Sequence, residues 1–131
     1  MDLAEILDTF DALDDGEDRY RYLIELGKDL PGLPEAERTE ERRVHGCQSR
    51  VWMKADVADG RMHLAADSDA FIVRGLIAVL LALYDGLPLA EVRALDPLPT
   101  FQRIGLDAQL SMGRRNGLYS MVARVKRLAE A

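Results

Sequence analysis

Apolar residues recur at helical spacing through the first thirty or so positions. In "DLAEILDTFDAL", Leu3, Ile6, Leu7 and Phe10 share one face, and in "DRYRYLIELGKDL" Tyr20, Leu23, Ile24 and Gly27 do the same. The short acidic break "DDGED" between them predicts an antiparallel helix pair. Prolines and charges without periodicity make Pro31 to Arg43 an exposed loop. Beyond it the pattern changes to the alternation of a strand. "RVWMKADV" alternates, and Asp59 and Gly60 form a two-residue hairpin turn. That turn sets Val57 opposite Met62, Ala55 opposite Leu64 and Met53 opposite Ala66, all apolar and on one face. Asp56 with His63 and Lys54 with Ala65 fall on the other face, and a one-residue slip would mix the two.

"DSDAFIVRGLIAVLLALYDGLP" holds a helix that is apolar nearly all round and therefore predicted to be central and buried. Ser68 or Asp69 is placed to cap its start, with Gly86 at its end and Pro88 beyond. "PLAEVRAL" and "PTFQRIGL" predict short helices. A last helix begins near Ser111, with Leu118, Met121, Val122, Val125 and Leu128 as its apolar stripe. Arg124, Lys126 and Arg127 enrich its end, where the helix dipole favours cations.

The chain has 131 residues, the common size of one domain, and is read as a single domain over 1–131. Its net charge of −6 argues against a nucleic-acid partner, whose phosphates need clustered Lys and Arg. The start "MDLAEIL" is acidic where a secretory signal is basic. The longest apolar stretch, Ala70 to Tyr84, contains Arg74 and is too short to span a bilayer, so no membrane role is expected. One cysteine forms no internal disulfide, and a reducing, cytoplasmic setting is the expectation.

That cysteine, Cys47, lies in "RVHGCQSRVW" just ahead of the first strand. An extended backbone gives it the inward parity of Val51; a turn at Gly46 puts it at a loop tip. A buried structural thiol is the common fate of a free cysteine. A reactive one needs a cation, a base or a helix N-terminus beside it, and His45 is two residues away. No Cys–His–Asn protease signature stands out, and one Cys with two His lacks zinc-type spacing, so no metal site is read. In "SMGRRNGL", Arg114 and Arg115 fall in the first turn of the last helix, where cations oppose the dipole. Such a position suits an anion, for example a thiolate or persulfide. Both arginines are equally read as solvated.

"VHGCQSRVW", then "DSDAFIVRGLIAVL" with "LYDG", then "GRRNGL" before an amphipathic helix, resemble the SufE family of sulfur acceptors. "YLIELGKDLPGLPEAER" upstream is similar to that family's second helix and following loop. The resemblance implies an α+β fold, a small antiparallel sheet packed against several helices, shared with IscU-type scaffolds. It implies a sulfur acceptor and activator of a pyridoxal-phosphate cysteine desulfurase, of SufS or CsdA type. Sulfane sulfur would be held as a persulfide on Cys47 and passed to an iron–sulfur scaffold complex, with no cofactor on this chain. Asp69 matches the second acid of the family's "DSD" motif, and Arg114 the arginine near the helix start. His45 and Arg115 inherit no role. The chain is then a co-substrate and activator rather than an independent enzyme. Two other classes fit the residues: a regulatory module with Cys47 merely packed, and a thiol enzyme acting on small molecules.

Overall fold

The computed structural model describes residues 2–105 and 110–130. Helix α1 (Leu3–Ala12) starts at Asp2, whose carboxylate accepts the Glu5 N–H at 2.9 Å. Helix α2 (Gly16–Asp29) starts at Asp15, which accepts the Glu17 N–H at 2.9 Å. Each cap satisfies a backbone donor that the first turn leaves unpaired. Phe10 meets Tyr22 edge-on, with ring centroids 5.0 Å apart, and joins the two helices.

Strands β1 (Val51–Ala58) and β2 (Arg61–Ser68) form an antiparallel hairpin. Its register is the one the sequence predicts, including Val57 opposite Met62 and Asp56 opposite His63. Asp59 and Gly60 both have positive φ, 55° and 73°, as the tight hairpin turn requires. The apolar face buries Met53, Met62, Leu64 and Ala66, while Val57 runs past the core and is exposed. The outer edge of β2 is covered by the chain leaving the central helix. Gly86 N–H donates to Met62 O at 2.7 Å, and Met62 N–H to Leu87 O at 2.9 Å. An edge paired in this way offers no template for aggregation.

Helix α3 (Phe71–Tyr84) is the buried centre, with Ile72, Val73, Leu76, Ile77, Val79 and Leu80 all in the core. Gly86, at φ 82°, ends it as predicted. Its start departs from expectation. The N-cap is Ala70 with no side-chain cap bond; Ser68 Oγ accepts the Ala70 N–H at 3.3 Å, and Asp69 is engaged elsewhere. Helix α2 crosses α3 backbone to backbone at Gly27 and Gly75, where a Cβ on either would overlap the other helix's main chain. Main chain cannot step aside as a flexible side chain does. Gly75→Ala is therefore expected to lower stability by about 3 kcal/mol, read as a shifted urea midpoint with unchanged slope.

Two short helices, α4 (Leu89–Ala94) and α5 (Leu98–Arg103), lead to α6 (Met112–Glu130). The predicted short helix over Pro99 to Leu106 appears as α5, and Leu106 itself lies outside the described residues. The α6 stripe is buried at Leu118, Met121, Val122 and Val125. Lys126 and Arg93 tie α4 to α6 through bonds to Leu95 O and Ala129 O, both at 2.9 Å. The segment before β1 is not the plain exposed loop its composition predicts. It folds into two single-turn 3-10 helices, Glu35–Glu37 and Glu40–Arg42, and buries Leu33. No helix among the described residues is long and apolar enough to cross a membrane.

Candidate functional site

Cys47 sits on a short loop that leaves and re-enters the sheet at nearly the same point. Arg43 bridges Trp52, and the Val44 N–H donates to Val51 O at 2.8 Å. Gly46 has φ 93°, a value that L side chains rarely adopt. Of the two backbone readings open in the sequence, the turn is therefore the one adopted, and Cys47 stands at a loop tip. Asp69 clasps the far end of the loop. Its carboxylate accepts the Arg50 N–H at 3.1 Å, and its own N–H donates to Arg50 O at 3.3 Å.

The loop lies along one stripe of α6, formed by Gly113, Gly117, Ser120 and Arg124. Gln48 packs against Gly113, where a Cβ would collide with its amide. The Cys47 thiol donates to Gly117 O at 3.6 Å, and a Cβ on Gly117 would come within 3.3 Å of the sulfur. A Cβ on Gly46 would strike Ser120 Oγ. Arg124 holds the loop's entrance through Arg43 O at 3.2 Å and Glu41 O at 2.7 Å. The glycines let the loop lie close enough for the sulfur to reach a narrow recess. Val73 and Leu76 of α3, with Met121 and Arg114 of α6, help line it.

Cys47 is half-buried. Burial pushes its pKa above the ordinary thiol value of 9.0, and the charge of Arg43 pulls the other way without cancelling the rise. The seated group is thus a neutral thiol near pH 7, a poor nucleophile, because the thiolate is the reactive form. Ser111 Oγ accepts the Arg114 N–H at 3.3 Å, as an N-cap would, and Arg114 lines the recess. Arg115 is not among the residues lining it. His45 is exposed and turned to Glu40 at 3.2 Å, so it does not serve the thiol here. Among the described residues, no group of three or more His, Cys, Asp or Glu is placed to hold a metal ion.

One polar cluster that positions the loop escapes the sequence reading. Asp67, the first acid of "DSD", is 1% exposed and accepts from four groups. They are the Leu33 N–H at 2.9 Å, the Ser68 N–H at 2.8 Å, Arg38 Nη2 at 2.9 Å and Arg74 Nη1. Arg74 also donates to Gly27 O at 2.8 Å and Leu30 O at 2.6 Å, and Arg38 lies over the Trp52 ring. This hub fixes the Pro31–Arg43 segment, and so the loop's entrance, to the sheet and to α2. A signal existed: an aspartate inside an apolar strand and an arginine inside the most apolar helix each need a partner.

A family model described as SufE, an Fe–S metabolism associated domain, matches residues 4–129. The chain belongs to the SufE family. It is 51% identical to a SufE-like protein of Rhizobium etli over 98% of this chain and 89% of that one. It is 47% identical to the sulfur acceptor protein CsdE of Escherichia coli, over 90% of this chain and 82% of that one. A solution structure of a hypothetical protein from Thermus thermophilus superposes with a TM-score of 0.77 at 25% identity, over 98% and 93% of the two chains. The α+β fold expected for a SufE protein is the one observed, and the family associates the chain with iron–sulfur metabolism.

In this SufE protein the clasp of Asp69 on Arg50 gives a direct test of loop closure. Iodoacetamide is expected to alkylate Cys47 slowly in the folded protein, with its rate rising at higher pH than in the urea-unfolded chain. Asp69→Arg removes the acceptor of the Arg50 N–H and places two cations together. It is expected to speed alkylation about tenfold, the effect of roughly 1.4 kcal/mol on the closed state. Equal rates in wild type and variant would show that the clasp does not hold the loop.

Proposed function

We propose that this SufE-family chain is a single-domain sulfur acceptor that takes sulfane sulfur from a pyridoxal-phosphate cysteine desulfurase in the reducing cytoplasm. It holds the sulfur on Cys47 as a persulfide and delivers it to an iron–sulfur scaffold complex. The observation that carries this reading is the lone thiol on a loop turned at Gly46 and clasped at Asp69, seated over a recess lined in part by Val73, Leu76 and Met121. The name of its relative CsdE, a sulfur acceptor protein, supports it.

The chemistry needs one thiolate. Cys47 loses its proton as it leaves the recess and attacks the terminal sulfur of the donor's persulfide. The bond from Cys47 Sγ to that sulfur forms, the donor's sulfur–sulfur bond breaks, and the donor cysteine departs as a thiolate that takes up a proton. No net oxidation occurs, so neither partner needs a redox cofactor for this step. A second cysteine on this chain would be able to resolve the persulfide into a disulfide with loss of the cargo, and none is present. Arg114, which lines the recess, receives the sulfur anion as it approaches.

The partner shifts the loop outward by binding the open state more tightly than the closed one. Incubation with the cognate desulfurase and cysteine, followed by intact-mass analysis, tests the reading. One added sulfur on Cys47 is the expected result. A chain that stimulates the desulfurase yet never gains mass would be a regulatory module instead.

A further inference from the structure

Helix α3 serves the thiol recess with one side only. Val73 and Leu76 line that recess, while Ala78, Leu81 and Ala82 fall on roughly the opposite side of the helix. There they wall a second cavity, of about 230 Å³, which shares no lining residue with the first. Ile6 of α1 and Leu26 and Leu30 of α2 are buried and give it an apolar floor. The small side chains of Ala78 and Ala82 leave the space open. Asp29 and Asp85 also line it, and both are exposed.

The two acids stand where a helix disfavours them. Asp29 is the last residue of α2 and Asp85 the C-cap of α3, and the C-terminal end of a helix is already negative. Neither has a cation: none of the ion pairs among the described residues involves Asp29 or Asp85. The nearby bases are committed elsewhere. Lys28 pairs with Glu25 at 3.8 Å, Arg61 donates to Gly86 O at 2.9 Å, and Arg74 belongs to the Asp67 hub. Asp85 Oδ1 accepts the Leu64 N–H at 2.8 Å, which fixes that carboxylate in place. The helix pair leading to Asp29 is acidic throughout. Residues 1–29 hold ten Asp and Glu against three Lys and Arg, a surplus of seven beside −6 for the whole chain.

We propose that this cavity is a docking site for a second protein partner, which inserts one basic side chain: its apolar stem lies on the floor and the two alanines, and its cationic head meets Asp29 and Asp85. Lysine and arginine combine such a stem with such a head. A volume below the about 300–1,000 Å³ of small-molecule sites suits a single side chain. The acidic helix pair beside it attracts a basic protein surface, because its field extends beyond the cavity. The cavity and Cys47 lie on different sides of α3, so its occupant does not compete with whatever engages the cysteine loop. None of this depends on the sulfur-acceptor reading.

The full chain, isotope-labelled for amide NMR, is titrated with n-butylguanidinium, which is an arginine side chain without its backbone. Saturable shifts are expected at Leu26, Leu30, Ala78 and Ala82 at roughly millimolar concentration. Replacing the probe by the neutral n-butylurea, or the protein by the double variant Asp29→Asn with Asp85→Asn, is expected to weaken binding about tenfold. Asparagine keeps an acceptor for the Leu64 N–H, so the double variant retains the fold. Ala82→Leu is expected to abolish the shifts by filling the cavity. The peptide acetyl-Lys-Ala-Arg-Ala-Lys-amide is expected to bind about tenfold more tightly than n-butylguanidinium in dilute buffer and to lose that gain in salt. Equal affinity of the two probes in dilute buffer would point to a small cation and overturn the protein partner. Shifts that do not saturate, that spread equally to Val73 and Leu76, or that survive n-butylurea, the double variant or Ala82→Leu undiminished would overturn the site itself.

Discussion

Cys47→Ser is expected to abolish sulfur uptake and desulfurase stimulation completely while leaving the fold in place. Cys47 is the one sulfur nucleophile in the chain, and a serine hydroxyl forms no persulfide. The structural cost is small for three reasons. The side chain is half-buried, Gly46 sets the loop's turn, and the clasp between Arg50 and Asp69 does not involve the thiol. The Gly117 carbonyl keeps a donor, since Ser Oγ–H replaces Sγ–H with a slightly shorter reach. The change in stability should stay within about 1 kcal/mol, seen as a melt shifted by only a few degrees. Sulfide release by the desulfurase and intact mass are measured alongside the melt. Undiminished stimulation by a folded serine variant would sink the sulfur-acceptor reading.

Asp67→Ala is expected to have the largest effect on stability, about 3–5 kcal/mol, equivalent to a melting point lower by roughly 10–20 °C. The alanine leaves Arg74, in the first turn of the core helix, without its carboxylate. It also orphans the Leu33 and Ser68 N–H groups. Burial alone would push the Asp67 pKa up. The two backbone donors, with Arg74 and Arg38, outweigh it and hold the pKa below the usual 3.8. A carboxylate with a depressed folded pKa adds stability that is fully present above its unfolded pKa. That stability is lost as the pH falls through the folded value. Wild type should therefore lose its advantage over Asp67→Asn as the pH drops below about 4 and on through that lower value. Parallel stability curves for the two proteins down to the acid limit would show that the hub contributes no net electrostatic stability.

Where local pattern decides structure, the sequence was a sufficient guide. The hairpin register followed from one turn and the two-face alternation, and Asp59–Gly60 left no competing pairing. The central helix followed from its long apolar run, broken only at Arg74. What escaped depends on tertiary contact. Composition marked Pro31–Arg43 as exposed, but Asp67 reaches back 34 positions to hold Leu33. Asp69 suits either a helix cap or a hold on the adjoining loop, because both uses need the same short carboxylate. Only the position of Arg50 decides between them. Helix-start position marked Arg114 and Arg115 alike; the family resemblance picked out Arg114, and it is Arg114 that lines the recess.

The closed base of the cysteine loop also limits geometry between proteins. While the Val44 N–H stays bonded to Val51 O, Cys47 is a tethered arm, three residues from one post and four from the other. At about 3.3–3.6 Å per extended residue, the shorter side allows the Cys47 backbone to travel roughly 10 Å from its post. Releasing the clasp at Asp69 frees the arm to swing but does not lengthen its shorter side. A donor whose persulfide lies deeper than that arm and the cysteine side chain together can reach must bring its sulfur outward to meet this one. The range of partners is thus bounded by a length fixed in the sheet, before any side chain at the interface has a say.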